Sequence, residues 1–161
     1  MDDIILRPIG TIQTPFREPQ GTPIQPPAAK GVAGLVTLFP EYREGLQDLD
    51  GFSHLYLIYH FHLCKGFSLK VKPFLDDRKR GVFATRAPAR PNSIGVSLVR
   101  LEKIEGDRLH VRDVDMVDGT PLLDIKPYVP EFDSRLQARI GWLATNLVKL
   151  RTARDDGRFT A

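Results

Sequence analysis

The 161-residue chain has one cysteine, Cys64, so no disulfide can close within it. A lone thiol fits a reducing compartment. No apolar run reaches the roughly 18–20 residues of a membrane-spanning helix, so no membrane partner is expected. The opening MDDIILRPIG starts acidic and holds no apolar stretch followed by a cleavage site. No secretory signal is expected there, and a cytoplasmic location is. The familiar fingerprints are missing too. No GxGxxG follows a strand-like run and no GxxxxGK[ST] occurs, so neither a dinucleotide fold nor a phosphate-cradling loop is signalled. No GxSxG, CxxC or HExxH occurs either. No histidine partner can be assigned to Ser93 or Ser97, so a nucleophilic triad has no support.

What is present describes one ordinary globular domain, 42% hydrophobic and 27% charged. The net charge of +3 is unevenly spread. Residues 65–90 hold eight basic groups (Lys65, Lys70, Lys72, Arg78, Lys79, Arg80, Arg86, Arg90) against Asp76 and Asp77. Residues 134–161 hold six basic groups against two acidic ones, leaving a net −7 for the rest. Such segregation suggests a polyanion on one face; the plain alternative is two solvated loops.

The apolar pattern is mostly of period two. Ile4–Thr14 reads as a strand interrupted by Pro8, and a proline-rich loop follows from Pro15 to Pro27. Gly31–Phe39 reads as a strand and Pro40–Leu49 as a short helix. In Phe52–Leu63, Leu55, Leu57, Tyr59, Phe61 and Leu63 alternate with His54, Tyr56, Ile58, His60 and His62. Phe67–Val71, Gly81–Thr85 and Leu122–Ile125 are shorter candidates. Ile94–Ile104 and Arg108–Asp115 form a hairpin turned at Glu105-Gly106-Asp107. Ser134–Arg151 reads as the one long helix, with Leu136, Ile140, Leu143, Leu147 and Leu150 at helical spacing and a capping box at Ser134 and Gln137. The last eleven residues read as a frayed tail. Strands do not alternate with helices, so a mostly β architecture is expected, an antiparallel barrel or sandwich. Residues 1–133 would form it, with 134–161 flanking it.

Three clusters could carry chemistry. His60, His62 and Cys64 would share one face of a strand, as metal ligands do. With no supporting carboxylate cluster the expectation is no metal, and His62 is better placed to bind a ligand at the strand's end. Asp115 and Asp118, in DMVDGTP, put two carboxylates around a glycine turn. They could hold ribose hydroxyls or a cation, orient a nucleophile, or merely cap their own backbone. In ATRAPARPNSIGVSLVRL, Pro88 and Pro91 stiffen a loop bearing Arg86, Arg90 and Asn92. Forked guanidiniums on a rigid loop suit phosphate or carboxylate groups.

These stretches resemble three signatures of one family. ATRAPARPNSIGVSLVRL resembles ATRSPxRPNPIGxSxVxL; DMVDGTPLLDIKPYVP resembles DxxDGTPxxDIKPYxP; LDGFSHLYLIYHFH resembles DxFSHLWxxFxFH. The family is the S-adenosylmethionine-dependent tRNA methyltransferases acting on N6-threonylcarbamoyladenosine beside the anticodon. The likeness runs from about Ile9 to Pro130. It implies a compact single-sheeted antiparallel β-barrel, a homodimer, S-adenosyl-L-methionine as cofactor and a tRNA anticodon loop as partner. By motif it implies a cofactor site of Gln25, Pro26, His62, Leu63, Arg86, Asp115, Met116, Val117 and Asp118. Asp118, Arg90, Asn92, Lys126 and Tyr128 are implied as catalytic or substrate-contacting. Two departures stand out. Ser93 replaces the second proline of RPNPIG, and the chain ends after the expected helix, without the further domain of longer members. The alternatives are a non-catalytic RNA-binding barrel, a metal hydrolase, or a methyltransferase of this fold with another substrate.

Overall fold

In the computed structural model, which describes residues 1–160, alternation decides the architecture. Along β3 (His54–His60), Leu55, Leu57 and Tyr59 turn inward and are buried, while His54, Tyr56 and Ile58 turn outward. The same pattern runs through β1 (Gly10–Gln13), β2 (Ala33–Leu38), β6 (Ile94–Glu105), β7 (Arg108–Arg112) and β8 (Thr120–Pro127). These six close into an antiparallel barrel in the order β1-β2-β7-β6-β3-β8, with β8 returning to β1. Closure leaves no exposed sheet edge. Ile12, Val36, Leu55, Leu57, Val99, Leu109, Val111 and Leu122 fill the interior. A two-stranded ribbon of β4 (Lys70–Val71) and β5 (Arg80–Gly81) lies outside the barrel.

The β6–β7 hairpin forms as its pattern predicts, turned at Gly106 with φ +67°. Other bounds move. The first strand covers only Gly10–Gln13, and Ile4 and Ile5 before it are 83% exposed. Strand β3 stops at His60, so His60, His62 and Cys64 do not share a strand face: Cys64 N donates to Phe61 O across a turn. Gly81–Thr85 yields only the end of β5 and a 3-10 turn at Val82–Ala84. Phe67–Val71 contributes only its last two residues to β4. Pro40–Leu46 is 3-10 rather than α-helical.

The largest correction is at the C-terminal end. Residues 134–151 do not form the expected helix. Among the described residues the one α-helical turn is α1 (Pro130–Asp133), followed by 3-10 turns at Gly141–Thr145 and Leu147–Lys149. Gly141 adopts φ +56°, which breaks the helical path, and Leu136 is 98% exposed with no surface to cover. Helical spacing stabilises a helix only when its apolar stripe packs as a unit. Here the residues make separate contacts instead. Trp142 Nε1 donates to Ala84 O at 2.8 Å, and the Arg80 guanidinium sits 5.5 Å over the Trp142 ring. Nor is the end frayed. Gly21 N donates to Asp155 O and Asp155 N to Thr22 O, at 2.7 and 2.9 Å. Phe159 packs against a small second core of Val71, Val82 and Ala87. Ala161 lies outside the described residues.

Candidate functional site

Connecting segments rise around a cavity of about 1480 Å³ that runs along the outside of β3 and β6 to the barrel mouth. Its floor is the outer face of β3 and β6, with His54, Tyr56, Ile94, Val96 and Leu98, and the barrel mouth, with Tyr59, Asp115 and Met116. The proline-rich loop, the turn after β3, the RAPARPN loop and the C-terminal segment form the walls. Ligand cavities of this kind are mostly apolar with a few convergent polar groups.

The most unusual polar group is Asp115. The residue is 8% exposed and sits just past β7, among inward-facing apolar residues. Ser97 Oγ, on β6, donates to its Oδ1 at 2.5 Å, and Tyr59 OH, on β3, lies 3.0 Å from the same hydroxyl. Burial pushes the Asp115 carboxyl up to about 7, against the weaker opposing pulls of the Ser97 bond and the Arg86 charge. The Tyr59 phenol is likewise pushed well up by burial and by the Asp115 charge. A buried carboxyl with a strongly perturbed proton affinity in a cavity marks a functional candidate. Neither Ser97 nor Tyr59 stands out in the sequence as part of this network, because only the barrel's closure brings β3, β6 and the segment after β7 together.

Asp118 goes elsewhere. Its Oδ1 accepts Thr14 N at 2.9 Å and its own N–H donates to Phe16 O at 2.6 Å. Thr14 Oγ1 and Gly119 N tie the same turn to the end of β1. Asp118 is exposed and does not border the cavity, so the two carboxylates of the motif divide, one into the cavity and one into the turn that presents it.

Arg86 reaches across the cavity to Gln25, donating to Oε1 at 3.0 Å. Arg90 instead braces its own loop, donating to Thr85 O and Ala87 O at 3.0 and 3.3 Å. Gln25, Pro26, His62, Leu63, Arg86, Arg90, Asn92, Asp115, Met116 and Val117 all border the cavity. Partial burial and the neighbouring His60 lower the proton affinity of His62. Lys126 and Tyr128 do not border it. A one-residue bulge at Leu123 sets the register that turns Lys126 outward, where it pairs with Asp124 at 2.9 Å. Tyr128 meets the rings of Tyr56 and His54 edge-on at 5.7 and 6.3 Å, so it backs two residues of the floor. Among the described residues no three His, Cys, Asp or Glu side chains gather as metal ligands. Trp142, Leu143, Leu147, Leu150 and Arg151 also line the cavity, a placement that their helical spacing does not signal.

A small closed barrel whose loops enclose a cavity with one buried carboxylate is a ligand-binding barrel, unlike the doubly wound sheets that hold nucleotides at a glycine-rich turn. The chain matches the family model described as the tRNA-methyltransferase O N-terminal domain over residues 11–134, and it belongs to that family. It is 61% identical, over 97% of its length and 85% of the relative's, to a probable S-adenosyl-L-methionine-binding protein of Pyrococcus abyssi. It is 38% identical over 82% of its length to the tRNA (adenine(37)-N6)-methyltransferase of Homo sapiens, of which it spans 32%. Among solved structures, TrmO from Pseudomonas aeruginosa superposes with a TM-score of 0.73 at 40% identity, covering 88% of this chain and 63% of that one.

Proposed function

We propose that this chain binds S-adenosyl-L-methionine in the barrel-mouth cavity and methylates N6 of the adenosine beside the anticodon of a tRNA. The substrate nucleoside carries the N6-threonylcarbamoyl group, and the protein works as a cytoplasmic homodimer. The observation that carries the reading is the buried Asp115 carboxylate, held by Ser97 in a cavity that Arg86 and Gln25 also line. This donor set suits a ligand bearing cationic sulfur and amine groups, a carboxylate and an apolar ring system. The Asp115 carboxylate would face the cations, Arg86 would pair with the ligand's carboxylate, and Phe61, Leu63 and Met116 offer apolar surface. Bound there, S-adenosylmethionine supplies an electrophilic methyl group and leaves as a neutral thioether.

The protein's own work is then positioning, exclusion of water and handling of one proton. Gln25, Pro26, His62, Leu63, Arg86 and the Asp115–Val117 stretch would hold the cofactor, while Asp118 fixes the turn that carries Asp115. The N6 proton of a urea-like nitrogen must leave during methylation. Asp115 Oδ2, free of the Ser97 bond, would accept it: burial holds the carboxyl at about 7, and a cationic ligand beside it would favour the ionised, accepting form. Arg90 and Asn92 stand at the rim, where the threonyl carboxylate of the substrate would be met. Tyr128 backs Tyr56, and Lys126 lies just outside. The partly exposed outer face of β6, where Ile94 and Val96 floor the cavity, supports a second copy packing against that side.

Calorimetric titration with S-adenosylmethionine, followed by transfer assays on tRNA with and without the threonylcarbamoyl group, tests this. Saturable binding near one cofactor per chain, weakened at least tenfold by Arg86→Ala, and turnover only on modified tRNA are expected. No cofactor binding alongside intact tRNA binding would leave a non-catalytic RNA-binding barrel.

A further inference from the structure

The family model ends at residue 134, yet side chains of the following segment from Trp142 onward, Arg151 among them, border the same cavity as Asp115 and Arg86, with Lys149 and Arg154 flanking these in sequence. This segment runs between two walls. Paired backbone bonds of Asp155 with Gly21 and Thr22 tie it to the proline-rich loop. The Trp142 bond to Ala84, and the Arg158 guanidinium on the carbonyls of Lys72 and Pro73 at 3.3 and 3.1 Å, tie it to the basic loop. Leu143, Leu147 and Leu150 face the cavity. Lys149, Arg151 and Arg154 are exposed, and no acidic side chain pairs with them among the described residues. Lys70, Arg78 and Lys79 on the basic loop are equally exposed and unpaired.

We infer that residues 135–160 form an RNA-contacting rim, in which Lys149, Arg151 and Arg154 bind substrate phosphates jointly with the basic loop across the cavity mouth. The inference rests on the reading that the cavity takes a tRNA base. A base drawn out of a single-stranded loop into such a cavity leaves its flanking phosphates at the mouth, where two cationic walls meet them. Cations that bind only phosphate contribute affinity without sequence preference and release counterions as they bind.

The test compares two double variants of equal charge change. Lys149→Gln/Arg154→Gln removes rim charges. Arg43→Gln/Arg108→Gln removes charges near the β6–β7 turn, away from the cavity. Affinity for threonylcarbamoylated tRNA is measured from 50 to 400 mM salt. The rim variant is expected to lower the slope of log affinity against log salt by about 1.4–1.8, at roughly 0.7–0.9 per phosphate contact. The control is expected to keep the wild-type slope, and both variants to bind S-adenosylmethionine as the wild type does. Equal slopes for all three proteins, with wild-type binding still salt-dependent, would overturn the rim and leave the methyltransferase reading standing. Absence of tRNA binding by the wild type would overturn both.

Discussion

Asp115→Asn should make the folded protein more stable and its cofactor binding weaker, with both effects growing as pH rises. Below about pH 3.8 the Asp115 carboxyl is protonated in folded and unfolded chains alike and has no effect on the balance. As pH rises, the unfolded chain ionises first while the folded chain keeps its proton, because burial holds the carboxyl at about 7. The unfolded state then binds fewer protons, so stability falls with pH and the loss is complete once both states are ionised. A rise from 3.8 to about 7 is roughly three units, or about 4 kcal/mol at 1.36 kcal/mol per unit. The amide is never charged, and its oxygen can still accept the Ser97 hydroxyl. The difference in unfolding free energy between variant and wild type should therefore be near zero at pH 4 and climb to about 4 kcal/mol by pH 8. For a chain of this length that corresponds to a rise on the order of 10 °C in Tm at pH 8. Denaturant unfolding of both proteins without cofactor, from pH 4 to 8.5, reads the difference directly, and S-adenosylmethionine titrations at the same pH values read the cost to binding. Parallel stability curves would mean that Asp115 is ionised normally in the folded protein, and the proton-accepting role would lose its basis.

Gly95→Ala tests how tightly the network is packed. A Cβ at Gly95 would fall 2.3 Å from the Tyr59 ring and 2.9 Å from Phe61. Overpacking of that kind costs about 1–3 kcal/mol, and denaturation should show that loss together with weaker cofactor binding, as Tyr59 is pushed off Ser97. An unchanged midpoint would show that the two rings move freely. Asp118→Ala removes the acceptor of Thr14 N and should cost about 1 kcal/mol, most of it restored by Asp118→Asn. If Asp118→Asn keeps the fold and cofactor binding but abolishes methyl transfer, the proton-accepting carboxylate is Asp118 and the role assigned to Asp115 is wrong.

How much of this was legible depended on whether the deciding interaction was local. Alternation in His54–His60 reports which residues face inward because a strand's side chains obey a period of two whatever its partners. In β6 the same period holds but the apolar Ile94 and Val96 face outward and Gly95 and Ser97 inward, because the outer face there floors the cavity. The β6–β7 hairpin was legible because its turn residues lie between its strands. The C-terminal segment misled for the opposite reason. Its leucines recur at helical spacing, but each contact that positions it lies far away in sequence: Ala84 for Trp142, Gly21 and Thr22 for Asp155, and Lys72 and Pro73 for Arg158. Spacing cannot reveal a partner fifty or more residues distant, and propensity yields to such contacts. The paired aspartates show the same limit within one motif. DMVDGTP announces two carboxylates, yet only the inward-facing Ser97 and the outward Thr14 amide decide which one enters the cavity. Motif residues thus identify the site, while the non-local neighbours assign the chemistry within it, and those neighbours – Ser97, Tyr59 and the 135–160 rim – are where substitutions would separate binding of the cofactor from binding of the RNA.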